Sequence, residues 1–234
     1  MGVSHKKPIQ FLLEGKFVVM FYVITVSYKR RFLEKHPDLG KTRMTIVGKG
    51  KFDKVERHGV SCLKNGSKFK RLLTTGEDAP VSFKYKYEAY EHALRRQKSE
   101  QQKGRTIEFD DSGSYQIYIM QMRTDALAEK RMKRENDANL LEARECFYVG
   151  LTEKQDVSQR YLEHLKPKGT PKSTPWGREY FLRPFEKAYR KDLLEKFEIQ
   201  TGLTTSDLIS SAAHIREADV AKWLRSRGLP SYFK

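Results

Sequence analysis

The stretch Cys146-Phe147-Tyr148-Val149-Gly150-Leu151-Thr152 constrains the chain most. Aromatic and β-branched residues closed by a glycine read as a short buried strand. The run that follows, residues 157–165, places Val157, Tyr161 and Leu165 at i, i+4 and i+8, which predicts a helix with one apolar stripe. Arg160 and His164 are also four apart, so they share a neighbouring face and can touch one ligand together. The planar fork of an arginine matches phosphate oxygens in a way lysine cannot. A strand feeding a helix that presents an arginine is therefore a framework suited to a phosphate.

Two further stretches extend this pattern. Upstream, Tyr115-Gln116-Ile117-Tyr118-Ile119-Met120 reads as a second strand. Near the end of the chain, Ser211 to Arg227 reads as the last helix, with Gly228 as its stop, and it carries the stretch Glu217-Ala218-Asp219-Val220-Ala221-Lys222-Trp223-Leu224-Arg225-Ser226-Arg227-Gly228. Tyr148-Val149-Gly150, an arginine ten residues on, a histidine four after that, the upstream tyrosine strand and the late glutamate helix together resemble the GIY-YIG nuclease superfamily. The resemblance covers roughly the last half of the chain.

The resemblance implies an α+β fold, with a small antiparallel sheet of about three strands flanked by helices across residues 113–234. It implies a metal-dependent endonuclease, a phosphodiester hydrolase with Tyr118, Tyr148, Arg160, His164 and Glu217 as its catalytic set. Glu217 would hold one Mg2+ (or Mn2+), an ion that prefers oxygen ligands and keeps several waters. Arg160 would bind the scissile phosphate, and His164 would hydrogen-bond a phosphate oxygen or the attacking water. Tyr118 and Tyr148 would flank the site, one of them as general base or water-positioner; a phenol with an ordinary pKa near ~10 needs nearby cations to act as a base. Taken without the resemblance, each residue has a plainer reading: Glu217 as a first-turn glutamate favoured by the helix dipole, Arg160 and His164 as solvated helix residues, the tyrosines as aromatic core.

Three departures stand out. Gln116 occupies the place of the family's first glycine, so the backbone there lacks glycine's freedom at positive φ. The thirty residues from Tyr118 to Tyr148 exceed the usual spacing, and the charged residues 125–143 fill them. A hairpin can carry such an insertion as a helical excursion, because loop entropy grows slowly with length. After the glutamate helix come Pro230-Ser231-Tyr232-Phe233, with no asparagine to fill a late family position.

Charge is distributed unevenly. The chain has 46 Lys+Arg against 30 Asp+Glu, and residues 1–110 carry 24 basic and 12 acidic side chains against 22 and 18 in residues 111–234. A basic half beside a near-balanced half is the electrostatic footprint of a polyanion partner, most simply nucleic acid. Two cysteines, Cys62 and Cys146, build neither a disulfide framework nor a thiolate zinc site, which fits a reducing intracellular setting.

In order along the chain, residues 1–40 are the least legible. Residues 17–28 form a twelve-residue apolar run, short of the ~20 that a spanning helix needs, so a buried strand is the preferred reading and no membrane partner is expected. A membrane-surface protein using residues 11–31 is the competing reading, testable by flotation with anionic liposomes. Met44 is an alternative start, which would make residues 1–43 non-native. Residues 41–110 form a basic region for nucleic acid, broken by glycines into short strands or loops. Its candidate phosphate contacts are Lys49, Lys51, Lys68, Lys70 and Arg71, with Lys84 and Lys86 from the alternating run of residues 81–87. That run predicts a strand with Phe83, Tyr85 and Tyr87 on one face, either a stacking platform for bases or a half-buried strand with solvated lysines. Residues 88–97 continue as a helix, residues 95–105 as its exposed end or a linker, and a turn near residues 109–114 marks the boundary. Later, residues 178–183 suggest a third strand, and residues 187–197 an amphipathic helix.

The expectation is an Mg2+-dependent endonuclease acting on DNA rather than RNA, in a cytoplasmic, nucleoid-associated setting, with the basic half supplying affinity. The alternative is a non-catalytic nucleic-acid-binding protein that retains the fold, which Gln116 and the missing asparagine favour.

Overall fold

The computed structural model describes residues 21–28, 42–48, 68–72, 82–104, 107–109, 111–136, 140, 143–153, 156–167 and 175–233. The class is α+β, with two sheets.

The apolar run near the start contributes β1 (Phe21–Tyr28), rich in the β-branched and aromatic residues that suit a pleated surface. It is the hub of a five-stranded sheet. β2 (Thr42–Gly48) runs antiparallel along one side of it, while β3 (Lys68–Leu72) and β4 (Ser82–Phe83) share the other, opposite Ile24–Tyr28 and Phe21–Tyr22. Next come α1 (Lys86–Gln102) and β5 (Ile107–Phe109), which pairs parallel with β2. Among the described residues no helix is long and apolar enough to cross a membrane.

The strand predicted over residues 81–87 ends at Phe83. Alternation there competes with the helical spacing of Ala89, Tyr90 and Ala93, all buried, and the helix prevails. The Glu88 carboxylate accepts the Tyr85 N–H at 3.1 Å, satisfying a donor at the helix start, while Tyr85 and Tyr87 pack on Phe233. The helix then runs on to Gln102, so of the two readings of that stretch, helix end and linker, the helix end is the one that forms.

The second sheet has three strands: β6 (Gln116–Met122), β7 (Cys146–Thr152) and β8 (Ser231–Tyr232). β6 and β7 are antiparallel from Gln116 opposite Thr152 to Met122 opposite Cys146. Their long connection holds a 3₁₀ turn (Thr124–Ala128) and α2 (Lys130–Glu135), the helical excursion the sequence suggested. After β7 the chain forms α3 (Val157–Leu165), α4 (Pro175–Tyr180), α5 (Phe185–Ala188), α6 (Lys191–Thr201) and α7 (Ser210–Arg225).

The third strand differs from expectation in place and direction. It is β8, parallel to β7 at Phe147 and Tyr148, because the helices between them return the chain in a crossover. Residues 178–183 instead form the end of α4 and a single bridge from Phe181 to Met122. The helix read over residues 187–197 is broken at Tyr189, which bridges Met120. Both interruptions cover the outer edge of β6, whose backbone groups would otherwise be unpaired. Ile117 N–H donates to the Thr205 carbonyl, Arg190 N–H to that of Ile119, Leu182 N–H to that of Gln121, and Arg123 N–H to that of Tyr180, at 2.8 to 3.2 Å.

Because strand side chains alternate, the two faces of this sheet carry separate clusters. Ile117, Ile119, Phe147 and Val149 pack against Leu194, Phe197, Val220 and Leu224 of α6 and α7. Tyr118, Met120, Cys146 and Tyr148 face the other way, toward Val157, Tyr161, Trp176 and Phe181. α1 bridges the two sheets: Ala89 and Ala93 pack with Val23, while Tyr90 hydrogen-bonds Ser210 of α7 at 2.8 Å.

Candidate nuclease-like site

The register of β6 and β7 sets Tyr118 directly opposite Gly150. A Cβ on Gly150 would collide with the Tyr118 ring, with its Cε2 only 2.8 Å away. The glycine of Tyr-Val-Gly is thus a matter of space, since its absent side chain is where the upstream tyrosine lies. Tyr148 shares that face, its ring 6.2 Å from that of Tyr118.

α3 closes over the two phenols. Asp156 caps it by accepting the Ser158 N–H at 2.8 Å, and its stripe of Val157 and Tyr161 docks on the sheet. This rotation turns His164 fully inward, at 0% exposure, with its Nε2 2.6 Å from the Tyr118 hydroxyl. The imidazole also meets Tyr148 and Phe181 edge-on at 5.6 and 5.4 Å. Gly177 of α4 admits it, because a Cβ there would sit 2.9 Å from the His164 carbonyl oxygen. Arg160, one turn earlier, has a side chain 18% exposed, and one guanidinium nitrogen donates to Glu163 at 2.9 Å. It also hydrogen-bonds Tyr118.

Glu217 arrives from α7 and is only 4% exposed. It lies within electrostatic reach of both phenols. Burial pushes Tyr118 well above an ordinary phenol; the Arg160 guanidinium pulls it down and Glu217 pushes it up. Tyr148 is likewise raised, by burial first, then by Tyr118, Glu217 and Tyr232. Both are protonated at neutral pH, so in this state they serve as hydrogen-bonding groups. A carboxylate is an oxygen ligand of the kind Mg2+ takes, and a site with few protein ligands suits an ion that keeps most of its own waters. Among the described residues no cluster of three or more His, Cys, Asp or Glu offers an all-protein cage.

Of the five residues named from the sequence, Tyr118, Tyr148, Arg160 and His164 gather together, and Glu217 lies within electrostatic reach of the two phenols. Four are almost wholly buried, Tyr118 at 1% and Tyr148 at 4% among them, and Arg160 is the one that opens to solvent. Gln116 sits in ordinary strand backbone; the only non-glycine at positive φ among the described residues is Asp207, so the substituted glycine costs nothing there.

The basic candidates fare differently. Lys49 and Lys51 lie outside the described residues, as does Cys62. Lys68, Lys70 and Arg71 are on β3, opposite Tyr28, Val26 and Thr25. Lys84 lies over the Tyr85 ring and 4.0 Å from Glu135. Lys86, expected on a solvated strand face, instead reaches His214 Nε2 at 2.8 Å, because the helix begun at this residue turns it toward α7.

Sequence reasoning missed His214, which stands three residues before Glu217 with its Nδ1 3.7 Å from the carboxylate. The i, i+3 spacing was the available signal. It also missed Asn136, whose side chain binds both backbone groups of Ser231 at 2.8 and 3.0 Å and so fixes β8. Nothing near α2 in sequence announces that partner. The chain matches no protein-family model, no curated protein and no solved structure.

Proposed function

We propose that this protein is a metal-dependent endonuclease of the GIY-YIG type, hydrolysing phosphodiester bonds in DNA. The observation that carries the reading is the grouping of Tyr118, Tyr148, Arg160 and His164, drawn from β6, β7 and α3, with the Tyr118 ring over Gly150 and the buried Glu217 of α7 within electrostatic reach of both phenols. Burying so many polar groups in one place is costly unless they are paired or put to use.

Arg160, the solvent-facing member, receives the scissile phosphate and balances the charge that grows on it. Glu217 would hold Mg2+, which would neutralise phosphate charge and lower the pKa of a bound water. The hydroxyl of Tyr118 contacts His164 Nε2, giving this phenol a path by which a proton taken up at its oxygen is balanced by its own passing to the imidazole. Tyr148, packed between His164, Phe181 and Tyr232, shapes the pocket.

The basic amino-terminal half supplies phosphate contacts, so affinity should fall steeply with salt. The second reading, a nucleic-acid-binding protein without cutting activity, draws on the near-complete burial of four of the five residues, which leaves a phosphate only Arg160 to meet. Incubating supercoiled plasmid with and without Mg2+ beside Arg160→Ala and Glu217→Ala separates the two. Metal-dependent nicking lost in both variants is expected. Equal nicking by all three proteins excludes this site, and a salt-sensitive gel shift without cutting selects the second reading.

A further inference from the structure

We propose that Lys86 and His214 are positioning residues for Glu217, so that α1, in the basic amino-terminal half, completes the metal site of the carboxy-terminal half. This rests on the reading of Glu217 as the metal-holding carboxylate.

The inference starts from proton bookkeeping. A lysine ammonium has donors and no acceptor. Its 2.8 Å contact therefore requires His214 Nε2 to accept. An imidazole that accepts at Nε2 is neutral and carries its proton on Nδ1. That Nδ1 is buried, makes no hydrogen bond among the described residues, and lies 3.7 Å from Glu217 Oε2. The distance is longer than a hydrogen bond, yet close enough for the N–H dipole and the carboxylate to interact across one helical turn. A buried donor without a partner is rare in folded proteins and calls for an explanation.

The ring is not free to choose another orientation. His214 stacks on Tyr90 with ring centres 5.2 Å apart and planes 16° from parallel. Tyr90 is fixed in turn by its hydroxyl contact with Ser210 at 2.8 Å. The neighbouring turn is pinned as well, with Ser211 N–H donating to Asp111 at 2.7 Å. Lys86 thus selects the tautomer, Tyr90 holds the plane, and His214 directs an N–H at the carboxylate. Carboxylates that ligate metals are themselves oriented by polar neighbours, and losing such support costs about 10–100-fold in metal affinity or activity.

Two measurements on the full chain test this. Nitrogen NMR of histidine-labelled protein reads the tautomer directly, without metal or nucleic acid. Wild type should show His214 neutral with the proton on Nδ1, and Lys86→Met should move protons to Nε2. Mn2+ binding, followed by electron paramagnetic resonance without DNA, should be lost in Glu217→Ala, weakened about 10–100-fold in Lys86→Met and His214→Gln, and kept in Lys86→Arg. Circular dichroism of each variant establishes that it is folded. A wild-type Nε2–H tautomer, or Mn2+ binding unchanged in folded Lys86→Met and His214→Gln, overturns the proposal. Wild type and Glu217→Ala binding Mn2+ alike would remove Glu217 as the metal carboxylate, and the proposal with it.

Discussion

Around β1 the amino-terminal sheet has five strands, with Val23, Ala89 and Ala93 as a buried apolar cluster among the described residues. The carboxy-terminal sheet has three strands and is packed on both faces, by clusters built on Phe147 and on Tyr148. Charge follows the opposite distribution, with the excess of basic residues concentrated in residues 1–110. The contrast is physically coherent. Lysines and arginines can attract a polyanion from many positions, since screened charge needs little positional precision. Under the proposed function, a phenol, an imidazole, a guanidinium and a carboxylate that meet one phosphate need a rigid support.

The comparison can be broken most forcefully in the cores. Phe147→Ala should cost about 3–5 kcal/mol, since the ring is fully buried between β7 and α7, while Val23→Ala should cost about 2 kcal/mol. Urea unfolding of both variants checks this, and equal losses would mean the two sheets unfold as one unit. Gly150→Ala should cost about 1–3 kcal/mol by forcing Tyr118 aside. Adding Tyr118→Ala should make the double variant more stable than the sum of the single effects, as measured by a thermal-denaturation cycle.

On the charge side, replacing Lys68, Lys70 and Arg71 with Gln should lower the salt dependence of DNA binding by about 0.9 in log–log slope per phosphate contact removed. The same measurement on Arg160→Ala should show a change of one contact at most. The smallest effect belongs to Cys146. Burial raises its thiol to about 12, with Asp125 and Glu145 adding to the rise. A raised pKa leaves almost no thiolate below that pH, so a Cys62→Ser protein should stay unreactive to a thiol reagent at pH 8 until it is denatured.

How much of this was legible in the sequence depended on locality. The Tyr148–Gly150 strand and the helix bearing Arg160 and His164 each carried a local period and formed where the pattern placed them, whereas the helix bearing Glu217 starts at Ser210, so Glu217 lies in mid-helix and not in the first turn where the helix dipole would favour it. Residues 81–87 misled because a period of two ran into a period near four, and only the contact of Tyr85 and Tyr87 with Phe233 decided between them. The third strand was illegible for a similar reason. Ser231 and Tyr232 are two residues with no pattern of their own, paired with β7 because α7 delivers them and Asn136 fixes them. The inward turn of Lys86 depends on α1 meeting α7, a contact no local spacing encodes.

The central claim is that the Tyr118–Tyr148–Arg160–His164–Glu217 cluster cuts phosphodiesters with a metal. Its most direct test is the rate of Mg2+-dependent plasmid nicking by Glu217→Gln, measured at protein concentrations where gel shift shows the DNA equally bound by wild type and variant. The account expects a loss of about 100-fold or more with binding intact. Wild-type nicking rates in the variant would contradict it.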